Sequence, residues 1–220
     1  MRLTKLRQKL VDEGLDAILI TDPANRRYFS GFTGTAGTLI ISPDRAMLAT
    51  DFRYYEQVEK QAPQFELVKI KGKFPALLPD LVNELGIRRL GFESKNVTVD
   101  LHKDLTNALP GGIEFVATSD IGANLRSVKD DDELAALRRA IAQGDAAYAH
   151  IADFMQPGMT EREVAWEMES FMRTHGAERL AFPIIVASGP NGAMPHARAS
   201  DRPIRAGEDS REGLVSSSSR

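Results

Sequence analysis

Short apolar runs alternate with helical stripes along the first 125 residues. Ala17-Ile18-Leu19-Ile20 is apolar throughout, the pattern of a strand covered on both faces. Thr38 to Ile41 and Ala46 to Ala49 are two more such runs, and Pro43-Asp44 between them predicts a hairpin. Phe65 to Ile70 alternates like a strand, and Arg89 to Glu93 and Glu114 to Val116 add two others. Between the strands, Leu3, Leu6 and Leu10 lie on one face of a helix over 2–13, with Gly14 at its stop. Asp51 to Tyr55 leads into a helix running to about Lys60. Leu77, Leu78, Leu81, Val82 and Leu85 form the stripe of a helix over 75–85 closed by Gly86. Residues 100–108 and Ile121 to Leu125 are also helical. Strands that alternate with helices predict an α/β layer structure, and the hairpin makes its sheet mixed. A first domain over 1–125 has an ordinary size.

The pattern changes at Ser127-Val128-Lys129. Asp130-Asp131-Asp132-Glu133 opens a long helix, where acids complement the macrodipole and one caps the N-terminus. Leu134, Leu137, Ile141, Tyr148, Ile151 and Met155 recur at helical spacing and predict one buried face. Pro157-Gly158 ends this helix. Thr160 and Glu163 predict a capping box for the next, whose stripe is Val164, Met168, Phe171 and Met172, with Gly176 at its end. A strand over Ile184 to Ala187 follows Phe182-Pro183. The turn-rich Ser188-Gly189-Pro190-Asn191-Gly192 then leads to His196. Histidine has the side-chain pKa nearest neutrality, so an imidazole held on such a loop is a candidate proton carrier. A second candidate is the stretch Asn25 to Phe32. It reads as a loop that packs its aromatics, or as a corner in which Arg26, Arg27 and Tyr28 face a substrate or a second subunit.

Composition narrows the chemistry. The chain carries 28 Lys+Arg against 31 Asp+Glu. The balance is even across 1–125, 16 of each sign, and 12 against 15 beyond it, so neither part has the basic footprint of a nucleic-acid binder. Cysteine is absent, which excludes disulfides, thiolate catalysis and cysteine metal sites. No apolar run approaches membrane-spanning length. The N-terminus has charges every two or three residues and no signal-peptide core, so a cytoplasmic protein is expected. No glycine-rich phosphate loop follows the first strand. His102, His150 and His175 fall in helical surface contexts and read as structural or solvated.

Five motifs in order carry a resemblance. These are Leu15 to Phe32, Thr50 to Tyr54, Arg126 to Ile141 with its R-x-x-K spacing, Pro157 to Glu161, and Phe182 to His196. Together the chain resembles the creatinase/Xaa-Pro aminopeptidase family of pita-bread metallopeptidases over roughly residues 1–207. The resemblance implies a mixed-sheet, ribonuclease-H-like α/β N-terminal domain over 1–125. It implies a linker helix and an incomplete α+β pita-bread domain over 126–207. It also implies a homodimer, a proline-containing peptide substrate, and hydrolysis of the bond before proline by a water bridging two divalent metals (Mn, Co or Zn). In that frame His196 hydrogen-bonds the substrate and stabilises the transition state.

The family's metal ligands, two Asp, one His and two Glu, are expected shortly after Pro203-Ile204-Arg205-Ala206-Gly207. There the likeness stops. Residues 208–220 lack the expected apolar strand and Asp-x-Gly element and read as a disordered polar tail. The expectation is therefore a peptidase cut off or altered in frame near residue 208, without metal ligands and inactive alone. Two other readings stay open: a non-catalytic dimerisation or substrate-gating module, and a metal-free, creatinase-like amidinohydrolase parent.

Overall fold

The computed structural model describes residues 1–208, 210–213 and 216–217. It forms two compact units, Met1–Val128 and Lys129–Arg220. In the first unit, strands β1 (Ala17–Ile20), β2 (Thr38–Ile41), β3 (Ala46–Thr50), β4 (Glu66–Lys69), β5 (Arg89–Glu93) and β6 (Glu114–Thr118) form one sheet in the order β4-β3-β2-β1-β5-β6. β2 lies antiparallel to β1 and β3, while the β3–β4, β1–β5 and β5–β6 pairs are parallel.

The two-residue period of the strands sorts the core into two layers. Ile18, Ile20, Leu39, Ile41 and Leu48 pack on one side with Leu6 and Leu10 of α1 (Arg2–Asp12), Phe29 of α2 (Pro23–Ser30), Val58 of α3 (Tyr55–Gln61) and Ile121 of α6 (Ile121–Ser127). Ala17, Leu19, Ile40 and Met47 pack on the other with Leu78, Leu81 and Val82 of α4 (Leu78–Glu84) and Leu105 of α5 (Val99–Ala108). β1 has no exposed residue, which is why its sequence shows no polar position. Full burial of a side chain such as Ile18 stabilises by about 1.5–3 kcal/mol, and Ile18→Ala costs about 2–5 kcal/mol.

Asn25 to Phe32 differs from the expected loop, because most of it lies in helix α2. Asp22 accepts the Asn25 N–H at 2.8 Å as N-cap, Pro23 needs no hydrogen-bond acceptor in the first turn, and Gly31 closes the helix at φ 80°. The Asp22-Pro23 pair is thus a helix start. The unit boundary falls at Val128/Lys129, three residues past the expected 125/126, because α6 continues to Ser127.

The second unit contains α7 (Asp131–Phe154), α8 (Glu161–Thr174), β7 (Arg179–Leu180), β8 (Ile185–Ser188), β9 (Ser210–Gly213) and β10 (Ser216–Ser217). Both long helices begin with reciprocal capping boxes. Asp130 and Glu133 bond at 2.9 and 3.0 Å, and Thr160 and Glu163 at 3.2 and 2.8 Å. Its core joins Ala147 and Ile151 of α7 to Val164, Met168 and Met172 of α8, with Val186 and Ile204.

Two expectations are corrected here. Leu134, Leu137, Ile141 and Tyr148, expected inside, are 38%, 46%, 62% and 58% exposed. α8 has 14 residues against 24 in α7, and its C-terminal end meets α7 at Gln143, which donates to the His175 carbonyl at 2.7 Å. Leu134, Leu137 and Ile141 lie N-terminal to that contact, while Tyr148 lies beyond it, beside the Ala147 that faces α8. The other correction concerns 208–220, expected to hold no strand. Ser210–Gly213 pairs antiparallel with β8, with Val186 opposite Glu212, and Ser216–Ser217 pairs with β7. A free strand edge recruits main-chain groups and asks nothing of side-chain apolarity. Expected tail positions 209, 214, 215 and 218–220 lie outside the described residues.

Candidate functional site

The loop that carries His196 leaves β8 at Ser188, makes a short 3-10 turn over Gly189–Ala193, and returns through Ser200 to Ile204. Its returning limb lies against the start of α8. The Glu161 N–H donates to the Arg202 carbonyl at 3.1 Å and the Arg162 N–H to the Ser200 carbonyl at 3.1 Å. Ile204 donates to the Met159 carbonyl and Gly158 to the Ile204 carbonyl, both at 2.8 Å. Amides at a helix N-terminus have no partner within the helix, and here two of them are satisfied by the returning limb.

The centre of the arrangement is Glu161, which is fully buried. One carboxylate oxygen accepts the Ser188 N–H at 2.8 Å and the Ser188 hydroxyl at 3.0 Å. The other accepts the Ser200 hydroxyl at 2.7 Å and the Ser200 N–H at 3.1 Å. The Asn191 amide bridges both oxygens at 3.1 Å each. Burial alone would raise the carboxyl pKa, but the bonds from Ser200, Ser188 and Asn191 outweigh it and hold the group down at about 2.

Arg202 extends the network. It donates to the Ser188 hydroxyl oxygen at 2.7 Å and forks onto both oxygens of Glu208 at 2.9 and 2.6 Å. This pair lies over Gly189, which has φ 48°; a β-carbon there would sit 2.7 Å from the Arg202 guanidinium. The backbone angle favours glycine at this position, whereas the facing Arg202 and Glu208 atoms are the ends of flexible side chains that can move aside.

His196 itself is exposed, and its imidazole makes no hydrogen bond to any described residue. Exposed Met194 and Phe182, 48% and 40% accessible, belong to the same segment of chain. The other sequence candidates are placed differently. Arg26 is buried and donates to the carbonyls of Gly34 and Gly37 at 2.6 and 2.7 Å. Tyr28 is buried, and its hydroxyl donates to the Leu125 carbonyl at 3.2 Å. Arg27 is half-buried. The three do not converge as a cluster: consecutive residues of α2 point in different directions, so Arg26 braces the 34–37 loop while Tyr28 reaches α6.

Sequence reading did not single out Glu161, nor Glu93. Glu93 plays a similar part in the first unit, accepting the N–H groups of Thr21 and Asp22 at 2.7 Å each and the Asn25 amide at 2.6 Å. The available signal for Glu161 was its place next to an N-cap threonine, which suggests macrodipole complementarity and nothing more. Its partners lie 27 to 39 residues away in sequence.

The remaining histidines have structural partners. His102 stacks on Phe115 with ring centres 5.4 Å apart. His150 bonds Glu167 at 2.7 Å and stacks on Phe171, and His175 stacks on the other side of that ring. An open groove of about 320 Å³ beside this stack is lined by Arg139, Gln143 and Phe171 among others, with no contribution from the His196 loop. No group of three or more His, Asp or Glu side chains among the described residues can hold a metal ion. Those described residues alone supply no donor set for the two divalent ions that the family resemblance implies.

Comparison with known proteins agrees with this architecture. The Creatinase/Prolidase N-terminal domain profile matches residues 2–128, and that of Metallopeptidase family M24 matches 135–208. The chain is 40% identical to an uncharacterized peptidase of Bacillus subtilis, YqhT, over 94% of its own length and 59% of that protein. It is 32% identical to the Xaa-Pro dipeptidase of Pyrococcus furiosus, over 94% of its length and 58% of the relative. A solved Xaa-Pro dipeptidase from Bacillus anthracis superposes with a TM-score of 0.92 at 40% identity, covering 98% of this chain and 60% of that one. The chain thus spans about three fifths of the length of these relatives. The profiles match the two units in turn, each over most of its length, and the chain belongs to the creatinase/Xaa-Pro peptidase family.

Proposed function

We propose that this chain is the substrate-positioning part of an Xaa-Pro peptidase, and that His196 serves hydrolysis of the peptide bond before proline. The observation that carries the reading is the presentation of one exposed imidazole on a loop whose two ends are tied to a buried carboxylate. An imidazole beside a reacting carbonyl donates a hydrogen bond to the oxygen as negative charge develops there. The dipeptidase relatives supply the substrate class. The described residues offer no metal ligand set, so no step is assigned to a metal here, and the chain alone is expected to be inactive.

The test compares two proteins in an Xaa-Pro dipeptide assay with Mn²⁺ present. One is the 220-residue chain; the other is a chimera of residues 1–208 with the remaining C-terminal part of the Bacillus subtilis relative. The chimera is expected to cleave prolyl dipeptides and the chain alone to cleave none. His196→Ala in the chimera is expected to lower kcat about 100-fold, the usual effect of removing one donor to a developing oxyanion. Turnover by the chain alone overturns the division of labour. A chimera that ignores proline overturns the substrate class, and an unchanged kcat overturns the role of His196.

A second reading, a module for assembly, is favoured by the exposed stripe of Leu134, Leu137, Ile141 and Tyr148 on α7. Stripes of this kind mark contact surfaces, and a second copy of this chain is the occupant the family resemblance suggests.

A further inference from the structure

We infer that Glu161 is a positioning residue: its buried carboxylate closes the 188–200 loop as a latch and so fixes where His196 is presented. This deepens the reading of His196 given above and rests on it. The geometry carries it. Six hydrogen bonds converge on one side chain, and every donor comes from the loop's two ends or from its 3-10 turn. A glutamate serving only the helix dipole would face solvent and leave the loop alone. Glu161 instead turns both oxygens onto residues 188, 191 and 200, while the α8 N–H groups of Glu161 and Arg162 bond the same returning limb. His196 lies between Asn191 and Ser200, inside the closed segment, and makes no side-chain hydrogen bond to the described residues. Its placement is therefore inherited from the loop.

The charged groups around the latch are few. Arg202 faces Glu161 through the shared Ser188 hydroxyl and is itself held by Glu208. Arg162 is paired with Asp201 at 2.9 Å, and Glu163 bonds Thr160. The donors to Glu161 are two N–H groups, two hydroxyls and an amide, none of which titrates in the acid range. A neutral carboxylic acid would put a proton where one of these donors now points. The loop should thus stay closed while Glu161 is ionised and open as it is protonated, between the ordinary carboxylate value of 4.5 and about 2.

The test is amide hydrogen exchange on the 220-residue chain at several pH values, with NMR relaxation of the His196 ring. In the parent chain, excess protection of the Ser188 and Ser200 amides is expected to persist to about pH 4.5 and to fall toward pH 2. Glu161→Gln should raise exchange over 188–200 by roughly 10- to 100-fold at neutral pH, the range for loss of bonds to a charged acceptor. It should also abolish the acid step and increase motion of the His196 ring, while α8 residues 165–172 stay as they were. Glu161→Asp should restore part of the protection. Ser200→Ala removes only the 2.7 Å hydroxyl bond and should give a smaller rise in the same segment, which keeps the test open should the glutamine variant fold poorly. Unchanged exchange over 188–200, an equal rise throughout α8, or an unmoved His196 ring overturns the inference. His196→Ala should leave the exchange of Ser188 and Ser200 untouched. The latch is therefore judged without reference to turnover, and a failure of His196 in the peptidase assay leaves it standing.

Discussion

Arg26 carries a full charge into the first unit and spends it on two backbone carbonyls. Burial lowers its pKa, while Asp22 and Tyr54 act the other way. The fork of a guanidinium reaches both Gly34 and Gly37; an ammonium reaches one point. Arg26→Lys is therefore expected to leave a carbonyl unsatisfied and to cost about 1–3 kcal/mol, read as a lower urea midpoint with an unchanged slope. No change in midpoint would show that the 34–37 loop does not depend on the fork. The adjacent residues Arg26, Arg27 and Tyr28 stood out in the sequence for their chemistry, yet their directions were invisible there. A string of letters does not say which of three neighbours turns inward. Glu161 shows the opposite case, a residue with an ordinary local role whose partners become visible only when residues 188–200 fold back on it.

At the scale of elements, the apolar pattern located every strand of the first sheet and both long helices, because each repeats its period over several residues. It failed where an element was short or a partner was missing. α2 has eight residues and starts on Asp22-Pro23, a pair that signals a turn as readily as a helix start. The stripe of α7 had the right spacing for burial, but periodicity reports an apolar face and not what covers it. That face gives a prediction. Ile141→Glu places a charge in the middle of the stripe without touching the Ala147–Ile151 contact with α8. If the stripe joins two copies, sedimentation should show a dimer in the parent chain and a monomer in the variant, with the same helical content. A parent chain that is monomeric at high concentration removes the assembly reading.

Across the whole molecule, the two units differ in what they bury. Among the described residues the first unit has core clusters of 16 and 11 buried apolar side chains, and the second a cluster of eight. At roughly 1.5–3 kcal/mol for each large side chain, that difference outweighs any surface ion pair. Limited proteolysis is expected to cut first within Lys129–Arg220 and to leave a resistant product over Met1–Val128. Equal resistance throughout would contradict it. Unfolding monitored by a single probe should likewise not be treated as two-state, since the units have separate cores. The border between the units falls at Val128/Lys129, just after the end of α6 at Ser127. β9 escaped notice because a strand made of Ser210-Arg211-Glu212-Gly213 announces itself only through the edge it pairs with.

The start of α8 leans on residues that come much later in the chain, through the carbonyls of Ser200 and Arg202. On a ribosome this imposes an order of events. The helix must emerge with its first turn frayed and wait for about forty more residues, roughly two to eight seconds at ordinary elongation speeds. The first unit, complete by then, can already have settled while its successor is still waiting for its last strap.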